Sequence, residues 1–441
     1  SKYAKDDRWA FFPSASIGWR ISEEKFFEPL SKVVDNLKLR ASVGALGNQI
    51  TNGYHDYMSI LSGKVLTNYM MDGKMVNALN IPSLPSVVTW EKVVTKDLGL
   101  DWSLFNNRLM GTFDFYVRDT KYMVRSVTLP AVLGTSGGKE NIADMRTTGW
   151  ELELTWKDRI KNVLGSPMDY SLTVGLSDYQ AEITKYDNPN GSLAGGMYYE
   201  GQKLGEIWGY VTDRLYTVDD FDADGKLKAG IPKVEGYNPN PGDILYKDLD
   251  DNDIINGGTS TTKDSGDRKI IGNSTRRYQY GIHGGANWKG VSLSFLLQGV
   301  GKLDLWIMND LFYPHYDAWT TVYDTQLNYW TPERTDSYFP RLYEKAAGNT
   351  AANTRIQTRY LQDGSYLSIR NITLSYNFPS KWMTKIGVNN LAVFFSGENL
   401  YTFDHLPKGL DPERSVTDDL GQRGFTYPYM RQYSFGINLS F

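Results

Sequence analysis

Strict alternation of apolar and polar residues recurs along this chain, and it constrains the fold more than any other feature. At the end of the sequence, Tyr433, Phe435, Ile437, Leu439 and Phe441 alternate with Ser, Gly and Asn. Side chains two positions apart in a strand share one face of a sheet, so each such segment has one apolar and one polar face. About eleven segments of this kind, each of roughly 9–12 residues, occur in the chain, and they predict an all-β fold.

The connections between these segments alternate between short and long. Short turns are predicted at Phe105–Asn107, Lys289–Gly290 and Pro379–Asn390, and a turn of medium length at Lys157–Pro167. Between them lie long, polar, Gly- and Asp-rich connections, at about 48–88, 121–144, 179–274, 303–364 and 403–427. Tight turns on one side and long external loops on the other are typical of β-barrels of the outer membrane.

Alternation by itself also fits a soluble antiparallel sheet with one wet face. Three features favour a membrane barrel. The segments are longer than the 5–6 residues common in soluble strands. Charged residues such as Glu151 and Glu153 repeat on the polar face, which suits a wet lumen. Trp and Tyr recur at segment ends, as at Trp102, Trp156 and Trp288, where an aromatic girdle would meet the lipid interface.

The composition excludes several other classes. The chain has no Cys, so disulfide scaffolds and thiol-ligated metal centres are excluded. Its formal net charge of −4 argues against nucleic-acid binding, which normally needs a basic surface. No run of 18 or more apolar residues is present, which excludes a helical membrane span.

The strand count predicts an incomplete barrel. Bacterial single-chain barrels have an even number of strands, and an open sheet in hydrocarbon would leave backbone groups at both edges unpaired, at several kcal/mol each. We therefore expect the chain to be the C-terminal half of a larger barrel, interrupted in an external loop.

Several motifs carry a family resemblance. They are "FFPSASIGWRISEE", "LKLRASVGALGNQ", "GDILYKDLDDNDII", "WTPERTDSYFPRL", "DGSYLSIRNITLSYNFP", "VFFSGENLYTF" with "GLDPE", and the terminal "YPYMRQYSFGINLSF". Together they resemble the SusC/RagA-type TonB-dependent receptors, in family order from residue 9 to residue 441. The resemblance implies a C-terminal half, residues 1–441, of a 22-stranded transmembrane β-barrel with long external loops.

The resemblance also implies a function and partners. Members import nutrients, often oligosaccharides and sometimes peptides, across the outer membrane of Gram-negative bacteria. The implied partners are the N-terminal half of the same barrel with its plug, the TonB complex acting through that missing region, a SusD-like surface lipoprotein, and outer-membrane lipid. Phe441 matches the family's aromatic barrel-assembly signal, and it is also a lipid-facing residue of the last strand.

Two Asp-rich loop segments are candidate calcium sites. Asp220, Asp222 and Asp224 have the spacing of an EF-hand-like loop, and Asp248, Asp250 and Asn252 repeat it. Neither segment has Glu at the twelfth position, so a solvated acidic turn is the alternative. No cofactor is required by this interpretation; a bound Ca²⁺ would stiffen an external loop.

Aromatic side chains next to Asp in the long loops are candidate substrate contacts. Aromatic faces pack on sugar rings, and carboxylates accept hydrogen bonds from hydroxyl groups. The candidates are Trp208, Tyr210, Trp306, Asp310, Tyr313, Tyr316, Asp317 and Trp319. The alternative is that these rings build the small cores of the loops or the contact with the lipoprotein.

Enzymatic signals are weak, and the chain is predicted not to be an enzyme. Its four His residues show no paired ligand spacing, and no phosphate-binding Gly-rich loop is present. The preferred function is oligosaccharide import. A peptide, siderophore or cobalamin importer is the alternative within the same barrel class, and a soluble all-β glycan-binding or glycan-cleaving module is the alternative from another class.

Overall fold

The computed structural model describes residues 3, 7–49, 64–80, 88–127, 138–308, 312–315, 321–344, 348–414 and 429–441. Among them, eleven strands form a single antiparallel sheet, in which each strand pairs with the next one along the chain. In chain order they are β1 (Ser14–Arg20), β2 (Val34–Asn48), β3 (Glu91–Leu104), β4 (Leu109–Ser126), β5 (Lys139–Val163), β6 (Ser166–Lys185), β7 (Arg277–Trp288), β8 (Val291–Lys302), β9 (Tyr366–Asn377), β10 (Asn390–Asp404) and β11 (Gln432–Ser440). The predicted strand number and the strict alternation of short and long connections are confirmed.

The two faces of the sheet differ as the alternation predicted. Directly paired residues share a face, and Leu98, Phe115 and Trp150 form one apolar row across β3, β4 and β5. Large apolar side chains on this face are open: Ile17 is 73% exposed and Leu98 is 51% exposed. An apolar surface of this extent is not stable in water, and it fits contact with lipid.

A β-bulge in β9 keeps the apolar residues on one face along the whole strand. Leu367 and Ile369 are apolar before the bulge, and Ile372 and Leu374 are apolar after it, so the phase changes by one residue. The pairing of β9 with both neighbours shifts at Arg370, as the sequence pattern predicted. At the bulge, Arg370 forms an ion pair with Glu413 of the connection between β10 and β11.

Two predicted connections are shorter in the structure. The turn predicted at Lys157–Pro167 is only Leu164 and Gly165, which have φ of 49° and 80° and so form a tight turn between β5 and β6. The indole of Trp288 donates a hydrogen bond to the Val163 carbonyl at 2.9 Å and holds this hairpin against the β7–β8 turn. Similarly, β4 and β5 extend from both sides into the loop predicted at about 121–144.

The remaining elements are short and lie in the connections. The loop strands are Lys64–Met71, Lys74–Asn80, Glu206–Tyr210, Thr212–Leu215, Lys233–Val234, Ile244–Tyr246, Ile254–Ile255, Arg268–Asn273, Asp304–Trp306 and Leu361–Asp363. The helices are Gly348–Asn353 and Ser380–Met383, with 3₁₀ turns at Ile21–Glu23, Lys25–Leu30, Val218–Asp220, Asp324–Gln326 and Thr384–Ile386. In the described ranges, no helix has the length and apolar character needed to span a membrane.

Candidate functional site

The described residues of the two longest connections, between β6 and β7 (186–276) and between β8 and β9 (303–365), fold together into one unit, called the loop module below. They share a hydrophobic core that includes Tyr246, Ile255, Leu303, Phe339 and Tyr360. Aromatic rings meet edge to face or stacked, as at Phe339 and Tyr360 with centroids 5.9 Å apart. The loop module is therefore a packed structure whose main core is built from both connections, while a smaller core around Tyr216, Phe221 and Leu245 belongs to the β6–β7 connection alone.

A buried carboxylate joins the two halves of the loop module. Asp243 is 3% exposed and accepts hydrogen bonds from four groups. The donors are the Asn240 backbone N–H (2.7 Å), the Tyr343 hydroxyl (3.0 Å), Asn349 Nδ2 (2.7 Å) and Asn353 Nδ2 (2.9 Å). Three of these donors come from the β8–β9 connection, whereas Asp243 belongs to the β6–β7 connection. Buried polar groups need such complete pairing, and here the pairing fixes one loop against the other.

The structure places the predicted aromatic contacts in different surroundings. Tyr210 is 8% exposed and Tyr313 is 4% exposed in the shared core, so they have no free ring face to support the predicted sugar contact. This burial matches the alternative interpretation that such rings build a loop core. Trp208 and Trp306 are half-buried and keep part of their surface open. The other candidates, Asp310, Tyr316, Asp317 and Trp319, lie outside the described residues.

The first Asp-rich segment does not form the predicted calcium arrangement. The Asp220 carboxylate is buried against Arg214, whose Nη2 lies 2.8 Å from Asp220 Oδ1. That guanidinium, together with hydrogen bonds from Thr217, lowers the pKa of Asp220 below its usual range. Asp222 instead accepts the backbone N–H groups of Asp224 and Lys226 in a tight turn. This corrects the metal prediction for Asp220, Asp222 and Asp224, because the carboxylates are used separately and do not converge.

The second Asp-rich segment does bring carboxylates together. Oxygen atoms of Asp248, Asp250 and Asp267 lie within 4.8 Å of one another. Asp267 lies 19 residues beyond Asp248, outside the twelve-residue spacing of the calcium-loop pattern, so the local spacing did not reveal it. Partial loss of hydration and then the nearby Asp267 and Asp248 carboxylates raise the pKa of Asp250, although its side chain is exposed. Asn252 has a different role, because its side-chain oxygen accepts the Ile254 N–H at 2.7 Å.

The polar face of the sheet lines a cavity of about 510 Å³. Four carboxylates and one guanidinium line it: Asp114, Glu151, Glu153, Glu413 and Arg276. The first three share a face by register, because Asp114 pairs with Glu151 and Thr112 pairs with Glu153. Glu151 and Glu153 are exposed to this space. The cavity can therefore accept hydrogen bonds from hydroxyl and amine donors and disfavours anions.

Ion pairs stabilise the charged part of the polar face. Arg40 of β2 donates two hydrogen bonds to Asp101 of β3, and its Nη2 also lies 2.8 Å from Asp114 of β4. This guanidinium bridges three neighbouring strands and neutralises part of the acidic surface.

Two stacked arginines of the loop module were not predicted. The Arg341 guanidinium carbon lies 5.9 Å from the ring centroids of both Trp330 and Tyr343. Arg355 lies 5.1 Å from the Tyr210 ring centroid and donates a hydrogen bond to the Tyr210 hydroxyl at 3.1 Å. Such stacking orients a guanidinium while it remains charged. The Arg355–Tyr210 contact joins residues 145 positions apart, so no local spacing signals it.

Comparison with known proteins adds the family. The profile of the family described as "TonB dependent receptor-like, beta-barrel" matches residues 1–391. The TonB-dependent receptor P3 of Formosa agariphila is 28% identical over an alignment 474 residues long, which covers 100% of this chain and 43% of that protein. The TonB-dependent receptor SusC of Bacteroides thetaiotaomicron is 25% identical, with coverage of 100% and 41%.

A solved structure has a similar fold. The RagAB peptide importer in its open-open state superposes with a TM-score of 0.70 at 23% identity, covering all of this chain and 44% of that one. The chain thus spans less than half the length of the relatives it matches.

Proposed function

The chain belongs to the TonB dependent receptor-like β-barrel family, and from this membership we propose that it forms half the wall of an outer-membrane importer for an oligosaccharide. In this proposal an N-terminal half supplies the remaining strands of a 22-stranded barrel and a plug, and the TonB complex acts through that half. A SusD-like surface lipoprotein covers the loop module. No bond of the substrate is broken, and the chain acts in transport alone.

The acidic cavity on the polar face is the observation that most favours a sugar substrate. Ionised carboxylates are pure acceptors, and the hydroxyl groups of a neutral oligosaccharide are suitable donors. Ferric siderophores and acidic glycans that carry negative charge would be repelled by Glu151 and Glu153. A peptide offers amide and ammonium donors to the same carboxylates, so a peptide importer is the second candidate, in line with the peptide import named for the RagAB structure.

The experiment is substrate capture by the full-length receptor with its lipoprotein, purified in detergent from outer membranes. Neutral oligosaccharides and peptides are offered as separate mixtures, and native mass spectrometry identifies what is retained. Retention of oligosaccharides supports the proposal, and retention of peptides alone refutes the substrate class but not the importer. A receptor that is extracted without detergent, and whose gel migration does not change on heating, contradicts the importer.

A double variant, Glu151→Gln with Glu153→Gln, tests the cavity itself. Each lost charge-assisted hydrogen bond is worth about 1.5–3 kcal/mol, so we expect affinity for the captured substrate to fall at least tenfold. Glu23→Gln with Glu28→Gln is the matched control, because these exposed carboxylates lie in the β1–β2 connection on the opposite, short-turn side. Equal affinity in both double variants would show that substrate does not contact this cavity.

We also propose that Asp248, Asp250 and Asp267 hold a structural Ca²⁺ in the loop module. Hard oxygen ligands converging from two parts of one connection suit this ion. Isothermal titration with CaCl₂ on the purified receptor tests it. Loss of the binding signal in Asp267→Asn but not in Asp222→Asn supports the site, and an unchanged signal in Asp267→Asn refutes it.

A further inference from the structure

An apolar groove of about 330 Å³ lies on the open apolar face of the sheet, across β8 to β11. Two rows of directly paired residues form its floor and walls, one beginning at Val291 and the other at Leu293. The side chains that line it are Val291, Leu374, Tyr376, Val393, Phe395 and Phe435. Phe395 and Phe435 form one wall, with ring centroids 4.9 Å apart. The groove has the volume of a ligand pocket and almost no polar lining.

The groove ends next to a basic turn. Tyr376 and Val393 are the lining residues nearest the β9–β10 connection, which carries Lys381, Trp382 and Lys385. Both lysines are exposed, and neither forms a hydrogen bond or ion pair with another residue that the structure describes. Trp382 is 58% exposed, beside Lys381. No acidic residue occurs between 377 and 390. The connection therefore places two free ammonium groups and an indole at the height where lipid headgroups meet water.

We propose that this groove binds one anionic phospholipid from the leaflet on the short-turn side. Its acyl chain lies along the groove, and its phosphate contacts Lys381 and Lys385. The proposal rests on the membrane placement proposed above, since only then does the apolar face contact lipid. The positive charge of the two lysines favours an anionic headgroup. One basic residue at a membrane surface raises the affinity for anionic lipid by about fivefold, so the two lysines together are expected to raise it roughly 25-fold.

The other connections on the same side do not offer this combination. The β1–β2 connection also carries two exposed lysines, Lys25 and Lys32, but they stand among Glu23, Glu24 and Glu28. Lys289 in the β7–β8 turn donates its ammonium to the Leu164 carbonyl at 2.6 Å, so it is directed toward the β5–β6 hairpin and away from the groove. The free cations next to the groove are those of the β9–β10 connection.

The test measures lipid that remains bound through purification. The full-length receptor is equilibrated with mixed micelles of phosphatidylethanolamine and phosphatidylglycerol in equal parts and repurified, and the retained lipids are quantified by mass spectrometry. We expect enrichment of phosphatidylglycerol in the unmodified receptor and its loss in Lys381→Gln with Lys385→Gln. The matched control, Lys25→Gln with Lys32→Gln, keeps the enrichment. Leu374→Trp fills the groove and lowers the retention of both lipids.

Each outcome has a separate meaning. Phosphatidylglycerol enrichment that survives in the Lys381/Lys385 double variant overturns the headgroup assignment, and undiminished retention in Leu374→Trp overturns the groove. The lysine pair is exposed, so its removal leaves the fold intact and the test remains decisive if Leu374→Trp fails to fold. A receptor whose gel migration changes on heating but which enriches no phosphatidylglycerol refutes only this site. A receptor that shows no such change refutes the membrane placement on which the site depends.

Discussion

Replacing Asp243 by Ala should release the two connections of the loop module from each other. The change removes the acceptor of four hydrogen bonds at once. Asn353 is 1% exposed, so its side-chain amide cannot form a hydrogen bond with water instead. A buried donor left without an acceptor destabilises the folded state by about 1–3 kcal/mol. The other three donors reach solvent more easily and lose about 0.5–1.5 kcal/mol each. The sum is about 2.5–7.5 kcal/mol of local stability.

Hydrogen–deuterium exchange of the detergent-purified receptor measures this loss region by region. Since each 1.4 kcal/mol is a factor of ten, backbone amides near Asp243 and in the Gly348–Asn353 helix should exchange about 10²- to 10⁵-fold faster. Amides of β7 and β8 should keep their rates, because the sheet has its own hydrogen-bond ladder. Local opening of one unit without global unfolding is the expected pattern.

Two further variants show whether the acceptor itself is responsible. Asp243→Asn preserves the shape but presents an NH₂ group to donors, so it should be nearly as damaging as Asp243→Ala. Asp219→Ala is the matched control, because Asp219 is exposed in the same connection and its side chain has no hydrogen bond with the described residues. Exchange rates in Asp243→Asn equal to those of the unmodified receptor would refute the reasoning.

Three other outcomes follow from the loop module. Arg214 lowers the pKa of Asp220, so the ionised Asp220 stabilises the folded loop module fully above the unfolded-state pKa of about 4. This stabilisation is lost as the pH falls through the lower pKa of the folded state. Exchange protection around Asp220 should therefore drop in that acidic window, and Asp220→Asn should abolish the pH dependence. Gly242→Ala should lower the free energy of unfolding by about 2–5 kcal/mol, because a Cβ there meets the Trp330 ring at 2.3 Å and φ is 92°. Gly236→Ala is the control: its φ is 78° but the space around it is open, so it should lose only about 1 kcal/mol. Equal thermal shifts in the two variants would contradict the packing argument. Chelation of Ca²⁺ should speed exchange in residues 248–267 of the unmodified receptor and leave Asp267→Asn unaffected, and an equal response in both would contradict the calcium site.

Much of the sheet could be predicted from the sequence, because a strand in lipid must alternate residue by residue. The eleven strands, the order of short and long connections and the bulge at Arg370 follow from that local pattern. The β5–β6 turn was misplaced because Lys157, Arg159 and Lys161 alternate with Asp158 and Ile160, so the period of two is carried by charge and not by apolar residues. Strand ends that extend beyond the lipid no longer need alternating apolar residues, but they still form backbone hydrogen bonds with the neighbouring strand.

The loop module was far less predictable, because its contacts join residues distant in the sequence. Asp267 completes a carboxylate group whose other members are local, and Asp243 pairs with side chains about a hundred residues away. The sequence identified Tyr210 and Tyr313 as aromatic rings able to form large contacts. Only the fold decides whether such a ring packs in a core or faces a substrate. The Arg214–Asp220 pair is local, but the spacing of the Asp residues does not show that a guanidinium six residues away pairs with Asp220.

The shared core of the two longest connections has a consequence for how this part of the chain can change in evolution. A graft that transplants only one of the two connections from a relative would separate side chains that pack together in the shared core and would remove one side of the hydrogen-bond network around Asp243. Recombination that preserves this packing therefore exchanges both segments together, although β7, its turn and β8 lie between them in the sequence. The two segments would then be inherited together.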